Sequence, residues 1–114
     1  AKLSLKEYIF GFACEDRAAE FLRGEGFEIL KRNFRCRFGE IDIIARKGGI
    51  LHFVEVKATS GDYDAAERVT GAKMAKILKA AEFYLMSCDT DEPWQIDVVE
   101  VYPKQIKFIA NISF

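Results

Sequence analysis

The chain has 114 residues, of which 50% are hydrophobic and 31% are charged. This length suits a single domain over residues 1–114, and the composition excludes intrinsic disorder over most of the chain. The formal net charge of −1 argues against a protein that coats nucleic acid through bulk positive charge. Local charge patterns therefore have to be examined.

The cysteines and apolar runs indicate the cellular setting. Cys14, Cys36 and Cys88 form no short paired spacing of the kind found in disulfide frameworks or zinc sites, so we expect reduced, mostly buried thiols. The apolar runs are much shorter than a membrane span requires, and the N-terminal segment lacks the apolar core of a signal peptide. These features predict a cytoplasmic protein without membrane association.

The first half of the chain predicts one helix followed by three strands. Ser4 and Glu7 have the spacing of a capping box, and apolar residues then recur every three or four positions until Gly24 or Gly26. β-Branched and aromatic residues predict antiparallel strands over Phe27–Phe34, Gly39–Arg46 and Ile50–Lys57. Gly48 and Gly49 predict a tight hairpin between the last two.

The second half predicts another helix and two more strands. Residues 58–70 carry no clear periodicity, and we expect a mobile loop or one short helix there. Thr70 can cap a helix whose core face contains Met74, Ile77, Leu78, Ala81 and Leu85. Strands are predicted over Gln95–Tyr102 and Gln105–Ile112. This order of elements predicts an α/β or α+β sandwich in which helices cover the faces of a mixed sheet.

Three acidic residues interrupt apolar stretches and mark candidate sites. Asp42 lies within Ile41–Ile44, and Asp97 lies within Ile96–Val99. Glu15 falls on the apolar face of the first helix. A buried carboxylate needs a hydrogen-bonding partner, a cation or access to solvent.

The strand that contains Glu55 and Lys57 supplies the chemistry. Strand periodicity places both side chains on one face, and the preceding strand of the hairpin brings Asp42 beside them if the register allows. Asp42 and Glu55 can hold Mg²⁺ or Mn²⁺, with the Val56 carbonyl as a third ligand. Lys57 can orient or deprotonate a water or stabilise charge on a phosphate, and Glu15 can hold a metal-bound water. This pattern favours metal-dependent phosphodiester hydrolysis, with an exposed ion pair as the structural alternative.

The motifs Gly39-Glu40-Ile41-Asp42 and Phe53-Val54-Glu55-Val56-Lys57 resemble the YraN family of small bacterial proteins. The resemblance covers roughly residues 8 to 102 and departs at Thr59, where the family usually has a basic residue. That family resembles the restriction-endonuclease-like, or PD-(D/E)XK, superfamily and the Holliday junction resolvases within it. The resemblance implies an α/β fold of the restriction-endonuclease type, with a mixed sheet of about five strands flanked by helices.

The same resemblance implies the roles of individual residues. It implies that the helix acid, the two strand acids and the lysine of a nuclease site are Glu15, Asp42, Glu55 and Lys57. Glu40, Lys73 and Asp97 also match family positions, and we regard Glu40 and Asp97 as candidates for the outer shell of the site. For Asp97, a structural role with bonds to backbone amides or basic side chains is the alternative.

Two groups of basic residues are candidates for binding nucleic acid, and a solvated surface is the alternative for each. The first comprises Lys31, Arg32, Arg35 and Arg37. The second contains Lys73 and Lys76, together with Arg68 and Lys79. His52 and Trp94 are expected to be packing residues, with His52 pointing away from Glu55.

The sequence thus supports two main hypotheses. The first is an Mg²⁺- or Mn²⁺-dependent endonuclease for DNA, with branched or structured substrates implied by the family resemblance. The second is a non-catalytic nucleic-acid-binding or adaptor module in DNA repair, recombination or uptake. A homodimer is compatible with both, since a two-fold symmetric DNA junction would also call for one.

Overall fold

The computed structural model describes residues 5–58 and 71–112, with side chains described from residue 13 onward. Within these ranges the elements are α1 (Leu5–Gly24), β1 (Glu28–Cys36), β2 (Gly39–Lys47), β3 (Ile50–Ala58), α2 (Gly71–Cys88), β4 (Trp94–Val101) and β5 (Ile106–Ile109). The predictions for residues 59–70, which include Thr59, Arg68 and Thr70, lie outside the described residues.

The strands form one mixed sheet in the order β1-β2-β3-β4-β5. β1, β2 and β3 are consecutive antiparallel neighbours, as predicted. β4 runs parallel to β3, because the chain crosses back through the segment that contains α2, and β5 pairs antiparallel with β4. The predicted α/β architecture with a five-stranded mixed sheet is confirmed.

Helix α1 covers one face of the sheet with mostly small side chains. Ala18, Ala19 and Leu22 are fully buried, and Cys14 is buried one turn earlier. Spacings of three and four residues place these side chains on one side of the helix. They pack against a cluster from the strands that contains Ile43, Ala45, Val54, Val99 and Val101.

Helix α2 covers the opposite face. Ile77, Ala80 and Ala81 are buried, and the other predicted core residues of α2, Met74, Leu78 and Leu85, pack around them. The strands contribute Ile41, Ile44, Leu51, Phe53 and Ile96 to this cluster. Trp94 meets Phe53 edge to face with 5.7 Å between ring centroids, so the prediction of a packing tryptophan is confirmed.

The Gly48-Gly49 turn joins β2 to β3 as predicted. Lys47 and Ile50 are the last paired residues before it. Both glycines have positive φ values, 60° for Gly48 and 77° for Gly49. Two such residues form the turn whose twist matches that of the flanking strands. The hairpin fixes the register that places Asp42 near Glu55.

Strand ends differ from the predictions where pairing partners determine them. β1 extends to Cys36, two residues beyond the predicted end at Phe34, because its last residues pair with the start of β2. β5 ends at Ile109 rather than Ile112. Asn111 has a φ of 53°, and the Ile112 N–H donates to the Ile96 carbonyl oxygen at 2.8 Å. The chain therefore turns inward instead of continuing the strand.

The cysteines are free, but their burial corrects one expectation. Cys14 is buried and Cys36 is half-buried, whereas Cys88 is exposed in the last turn of α2. The prediction of mostly buried thiols is therefore wrong for Cys88, because it lies at the end of α2, three residues beyond Leu85, the last α2 residue that packs in the cluster under α2. In the part of the chain that the structure describes, no helix is long and apolar enough to cross a membrane.

Candidate active site

Asp42 lies where the regular alternation of β2 is interrupted. Ile41 packs in the cluster under α2, whereas Ile43, two residues later, packs under α1. In an uninterrupted strand both side chains would lie on the same face. On β1, Asn33 has a φ of 53° and lies opposite Asp42 between two paired positions. Both strands therefore change face at the same level.

The backbone pairing of β2 with β3 also stops at this interruption. The paired positions between these strands run from Ile43 and Val54 to the hairpin turn. Beyond Ile43, the Val56 N–H donates to Asp42 Oδ2 at 2.8 Å. A side-chain carboxylate thus takes the place of a backbone acceptor, which positions Asp42 between the two strands. This bond also holds the carboxylate in one orientation.

Strand β3 presents Glu55 and Lys57 on the face covered by α2. Val54 and Val56 pack on the opposite face, in the cluster under α1, so the predicted alternation is confirmed. Glu55 is buried, and Lys57 Nζ lies 3.3 Å from Glu55 Oε1. The side chain of Lys57 is 17% exposed. The predicted alternative of an exposed ion pair therefore does not hold.

Helix α2 completes the site from above the sheet. Lys73 Nζ lies 2.9 Å from the same Glu55 Oε1 atom that Lys57 approaches. A cleft of about 170 Å³ opens between the helix and the sheet, lined by Gly39, Glu40, Asp42, Glu55, Lys73, Lys76 and Ile77. The start of β2 lies close under α2, since a Cβ atom added to Gly39 would lie 3.2 Å from the Lys76 carbonyl oxygen. Asp42 and Glu55 thus share one cleft with Lys73 and Lys76.

Burial and negative charge raise the pKa of Asp42 from 3.8 to about 7. Desolvation is the largest cause, followed by repulsion from Glu55 and smaller contributions from Glu15 and Glu40. The hydrogen bond from the Val56 N–H favours the charged form and acts in the opposite direction. Near neutral pH, this carboxyl group is therefore divided between its protonated and ionised forms.

The two lysines that contact Glu55, Lys57 and Lys73, have pKa values shifted in opposite directions. Burial lowers the pKa of Lys57, and the neighbouring Lys73 lowers it further despite the attraction of Glu55. Burial alone would also lower the pKa of Lys73, but the contacts with Lys57 and Glu55 and the charges of Glu55 and Asp42 raise it. Lys73 is therefore the amine that holds its proton more strongly.

Glu15 lies on α1, outside the set of residues that line the cleft. Arg32 Nη2 on β1 lies 3.6 Å from Glu15 Oε1 and 2.7 Å from Asp16 Oδ1. Among the described residues, Glu15 Oε1 and Arg32 Nε are the buried side-chain polar atoms without a hydrogen-bond partner. The charge of Glu15 contributes to the raised pKa of Asp42, so the two acids lie within electrostatic range.

The candidate nucleic-acid-binding residues occupy different environments. Lys31, Arg35 and Arg37 are exposed on and just after β1, and Arg35 Nε lies 3.4 Å from Glu40 Oε1. Arg37 lies over the Phe38 ring at 4.8 Å from its centroid. Arg32 differs from these residues, because it turns towards the acids of α1. On α2, Lys73 and Lys76 both line the cleft.

Residues 14–101 match the model of the Uncharacterised protein family UPF0102. A UPF0102 protein of Campylobacter fetus is 52% identical over 112 residues, which cover 98% of this chain and 100% of that relative. The chain belongs to the UPF0102 family. A UPF0102 protein of Campylobacter concisus is 53% identical, with 97% of this chain and 99% of the relative covered. The resemblance to the YraN family, which is the same family, is confirmed.

Within this UPF0102 chain, the two outer-shell candidates have separate positions. Glu40 lines the cleft beside Asp42. Asp97 is fully buried and accepts hydrogen bonds from the Asn111 N–H at 2.8 Å and Gln95 Nε2 at 2.7 Å. Its Oδ2 lies 2.6 Å from His52 Nδ1. These contacts to a backbone amide and to side chains are those of the structural alternative for Asp97, and His52 is a buried packing residue.

Lys73 is predicted from the sequence only as a nucleic-acid-binding residue, whereas in the structure it contacts Glu55. The helical spacing contains a signal for that contact. Lys73 precedes the buried Ile77 by four residues, and residues four apart lie on the same side of a helix. A lysine one turn before a core residue of α2 therefore points towards the sheet.

The donor atoms of the cleft fit a hard divalent cation. Among residues 5–58 and 71–112, no group of three or more His, Cys, Asp or Glu side chains could hold a metal ion. Two carboxylates can nevertheless hold Mg²⁺, which usually keeps several water ligands. Burial and, after it, repulsion from Glu55 raise the pKa of Asp42, and a cation in the cleft would relieve that repulsion. The Lys73 ammonium already lies at Glu55 as a positive charge. Asp42 and Glu55 are the residues that could hold such an ion.

Proposed function

We propose that this chain is an endonuclease that hydrolyses phosphodiester bonds of DNA with Mg²⁺ or Mn²⁺, within a fold of the PD-(D/E)XK type. One observation carries the proposal: the Asp42 and Glu55 carboxyl groups line the same cleft and repel each other, and Lys57 Nζ lies 3.3 Å from Glu55 Oε1. Branched or structured DNA is the proposed substrate, and the cytoplasm is the proposed location. These last two points rest on the family resemblance and on the composition.

The proposed reaction assigns different tasks to residues that line the cleft and to residues beside it. Asp42, Glu55 and the Val56 carbonyl would hold the metal ion, which supplies Lewis-acid activation of the phosphate and of a water molecule when bound. The bond from the Val56 N–H keeps the Asp42 carboxylate in place. Glu15 would orient a water molecule from the α1 side, where its Oε1 atom lacks a protein hydrogen bond.

Lys57 would act on the reacting atoms through Nζ. Its lowered pKa makes the neutral amine more accessible, so Nζ can accept the proton of the attacking water. In its protonated form, Nζ can instead stabilise charge on the phosphate in the transition state. The attacking oxygen forms a bond to phosphorus as the bond to the leaving oxygen breaks, and one water molecule is consumed for each bond cleaved.

Cleavage assays with matched variants test this proposal. Purified protein would be incubated with Mg²⁺ or Mn²⁺ and a panel of duplex, flap, four-way-junction and single-stranded DNA, with RNA as a further substrate. We expect the wild type to cleave DNA. The cleavage rates of Glu55→Gln, Asp42→Asn and Lys57→Ala should each be lower by a factor of about a hundred or more, since each variant lacks a group that acts in the transition state. Circular dichroism and thermal melting would verify that the variants are folded.

Glu82→Gln is the control, because it makes the same chemical change at an exposed position of α2. This variant should retain the full rate. Folded wild-type protein that cleaves none of the substrates would contradict the proposal. Cleavage that survives Glu55→Gln would also contradict it, since the activity would then not arise from this cleft.

A second candidate is a non-catalytic module that binds nucleic acid or acts as an adaptor in DNA repair, recombination or uptake. The position of two lysines against Glu55 Oε1 favours it, because these ammonium groups neutralise the carboxylate without a metal ion. Such a module would bind DNA equally well in the presence of Mg²⁺ or a chelator. The nuclease would bind DNA more tightly with Ca²⁺, a hard cation that takes oxygen ligands, than with a chelator.

A further inference from the structure

The contact of Lys73 with Glu55 bears on how the proposed site binds its metal ion. We infer that the Lys73 ammonium is the resident counter-ion of the Asp42–Glu55 pair and that a divalent cation binds by displacing it from Glu55. The inference rests on the proposed metal site. It concerns a residue of α2 to which the nuclease motif gives no role.

The contacts place Lys73 in the position of a shared cation. Its Nζ atom lies 2.9 Å from Glu55 Oε1, and its charge is also stabilised by Asp42. Both carboxylates therefore interact favourably with one ammonium group. A divalent cation held by Asp42 and Glu55 would occupy the same electrostatic position with twice the charge.

Exposure distinguishes Lys73 from the second lysine at Glu55. The Lys73 side chain is 39% exposed and reaches Glu55 from the helix above the cleft. The Lys57 side chain is 17% exposed and extends from the same strand as Glu55. Because a lysine stem is long and flexible, the Lys73 ammonium can turn into water when the carboxylate binds another cation. Lys57 then remains beside Glu55.

Displacement makes the affinity for the metal depend on Lys73. An incoming cation must replace an ion pair that already exists, so the site binds the metal less tightly than the two carboxylates alone would. In the absence of the metal, the same ion pair limits repulsion within the cleft. Lys73 thereby acts as a positioning residue that sets the metal concentration at which the site becomes occupied.

Calorimetric titration with Mn²⁺ tests the inference on the full chain. Lys73→Gln is compared with Lys76→Gln, which removes the same charge from the same cleft one turn later on α2. We expect Lys73→Gln to bind Mn²⁺ about tenfold more tightly than the wild type, because the competing ion pair is absent. Lys76→Gln should change the affinity much less, and Lys73→Arg should remain close to the wild type.

Thermal melting supplies a second measurement that also reports folding. With a chelator present, Lys73→Gln should melt at a lower temperature than Lys76→Gln, since Asp42 and Glu55 lose their counter-ion. Added Mn²⁺ should then raise its melting temperature by more than it raises that of the wild type.

Three results would overturn the inference. These are equal Mn²⁺ affinities in Lys73→Gln and Lys76→Gln, weaker binding in Lys73→Gln, or failure of every variant and the wild type to bind Mn²⁺. The proposed nuclease function is tested separately by cleavage. Tighter Mn²⁺ binding in Lys73→Gln without cleavage by the wild type would support the counter-ion role and contradict the nuclease proposal.

Discussion

At the scale of single residues, Asp42 lowers the stability of the folded protein when it is ionised, because of where its carboxylate lies. Its carboxylate is partly buried, faces Glu55 and replaces a backbone acceptor between β2 and β3. A carboxylate in such surroundings is easier to accommodate when protonated. Residues held in an unfavourable state often belong to functional sites, because the surrounding fold maintains them for their chemistry.

The raised pKa of Asp42 predicts a specific dependence of stability on pH. The pKa is about 7 in the folded state and near 3.8 in the unfolded chain. Between these values the folded state binds more protons, so the contribution of Asp42 to the free energy of unfolding falls as the pH rises from about 4 to about 7. With a chelator present, Asp42→Asn should exceed the wild type in stability by about 1 to 3 kcal/mol at pH 8. This advantage should disappear towards pH 4.

Urea denaturation at several pH values measures this effect. Asp42→Asn is a suitable variant because the amide oxygen can still accept the Val56 N–H. Asp91→Asn makes the same change at an exposed position in the loop between α2 and β4, and its stability should follow that of the wild type. Parallel stability curves for the wild type and Asp42→Asn would show that the Asp42 carboxyl is not perturbed in this way.

At the scale of elements, helical periodicity and the turn glycines predicted most of the fold, because each helix buries only one side against the sheet. The three- and four-residue spacing located the faces of α1 and α2 that pack on the sheet, and the double glycine located the hairpin. Alternation also placed Glu55 and Lys57 on one face of β3. Local patterns suffice where each residue obeys the period of its own element.

The remainder of the site depends on departures from those periods. The change of face at Asn33 and Asp42 cannot be read from an apolar run, since Ile41 and Ile43 are equally suited to either cluster. The ion pair of Arg32 with Asp16 joins β1 to α1 across sixteen residues and depends on packing. The role of Asp97 likewise depends on packing, because the backbone amide that it accepts from belongs to Asn111, fourteen residues later in the chain.

At the scale of the whole molecule, the net charge of −1 conceals an uneven distribution. Exposed basic residues lie on and just after β1 and on α2, and they include Lys31, Arg35, Arg37, Lys76 and Lys79. β1 is an edge of the sheet, with β5 at the other edge. Basic side chains on an edge strand oppose pairing with other strands and attract phosphate groups. The proposed DNA-binding surface is therefore the β1 side of the molecule.

Charge reversal on the two edges tests this surface. We expect the Arg35→Glu/Arg37→Glu double variant to lose about tenfold or more in affinity for a DNA junction, because phosphate contacts dominate such binding. Lys104→Glu/Lys107→Glu alters the net charge equally but lies on β5 and the turn before it. Fluorescence anisotropy of a labelled DNA junction, with Ca²⁺ present and at two salt concentrations, would measure the DNA affinities of both double variants. Equal losses in the two variants would contradict a binding surface on the β1 side.

Anomalous diffraction from crystals soaked in Mn²⁺ can locate the proposed metal ion. We expect one strong anomalous peak in the cleft, at the carboxylate oxygens of Asp42 and Glu55, with Lys73 Nζ moved away from Glu55. The same soak of Glu55→Gln crystals should give no peak there. An empty cleft in wild-type crystals at saturating Mn²⁺, with Lys73 still paired to Glu55, would contradict both the metal site and the displacement of Lys73.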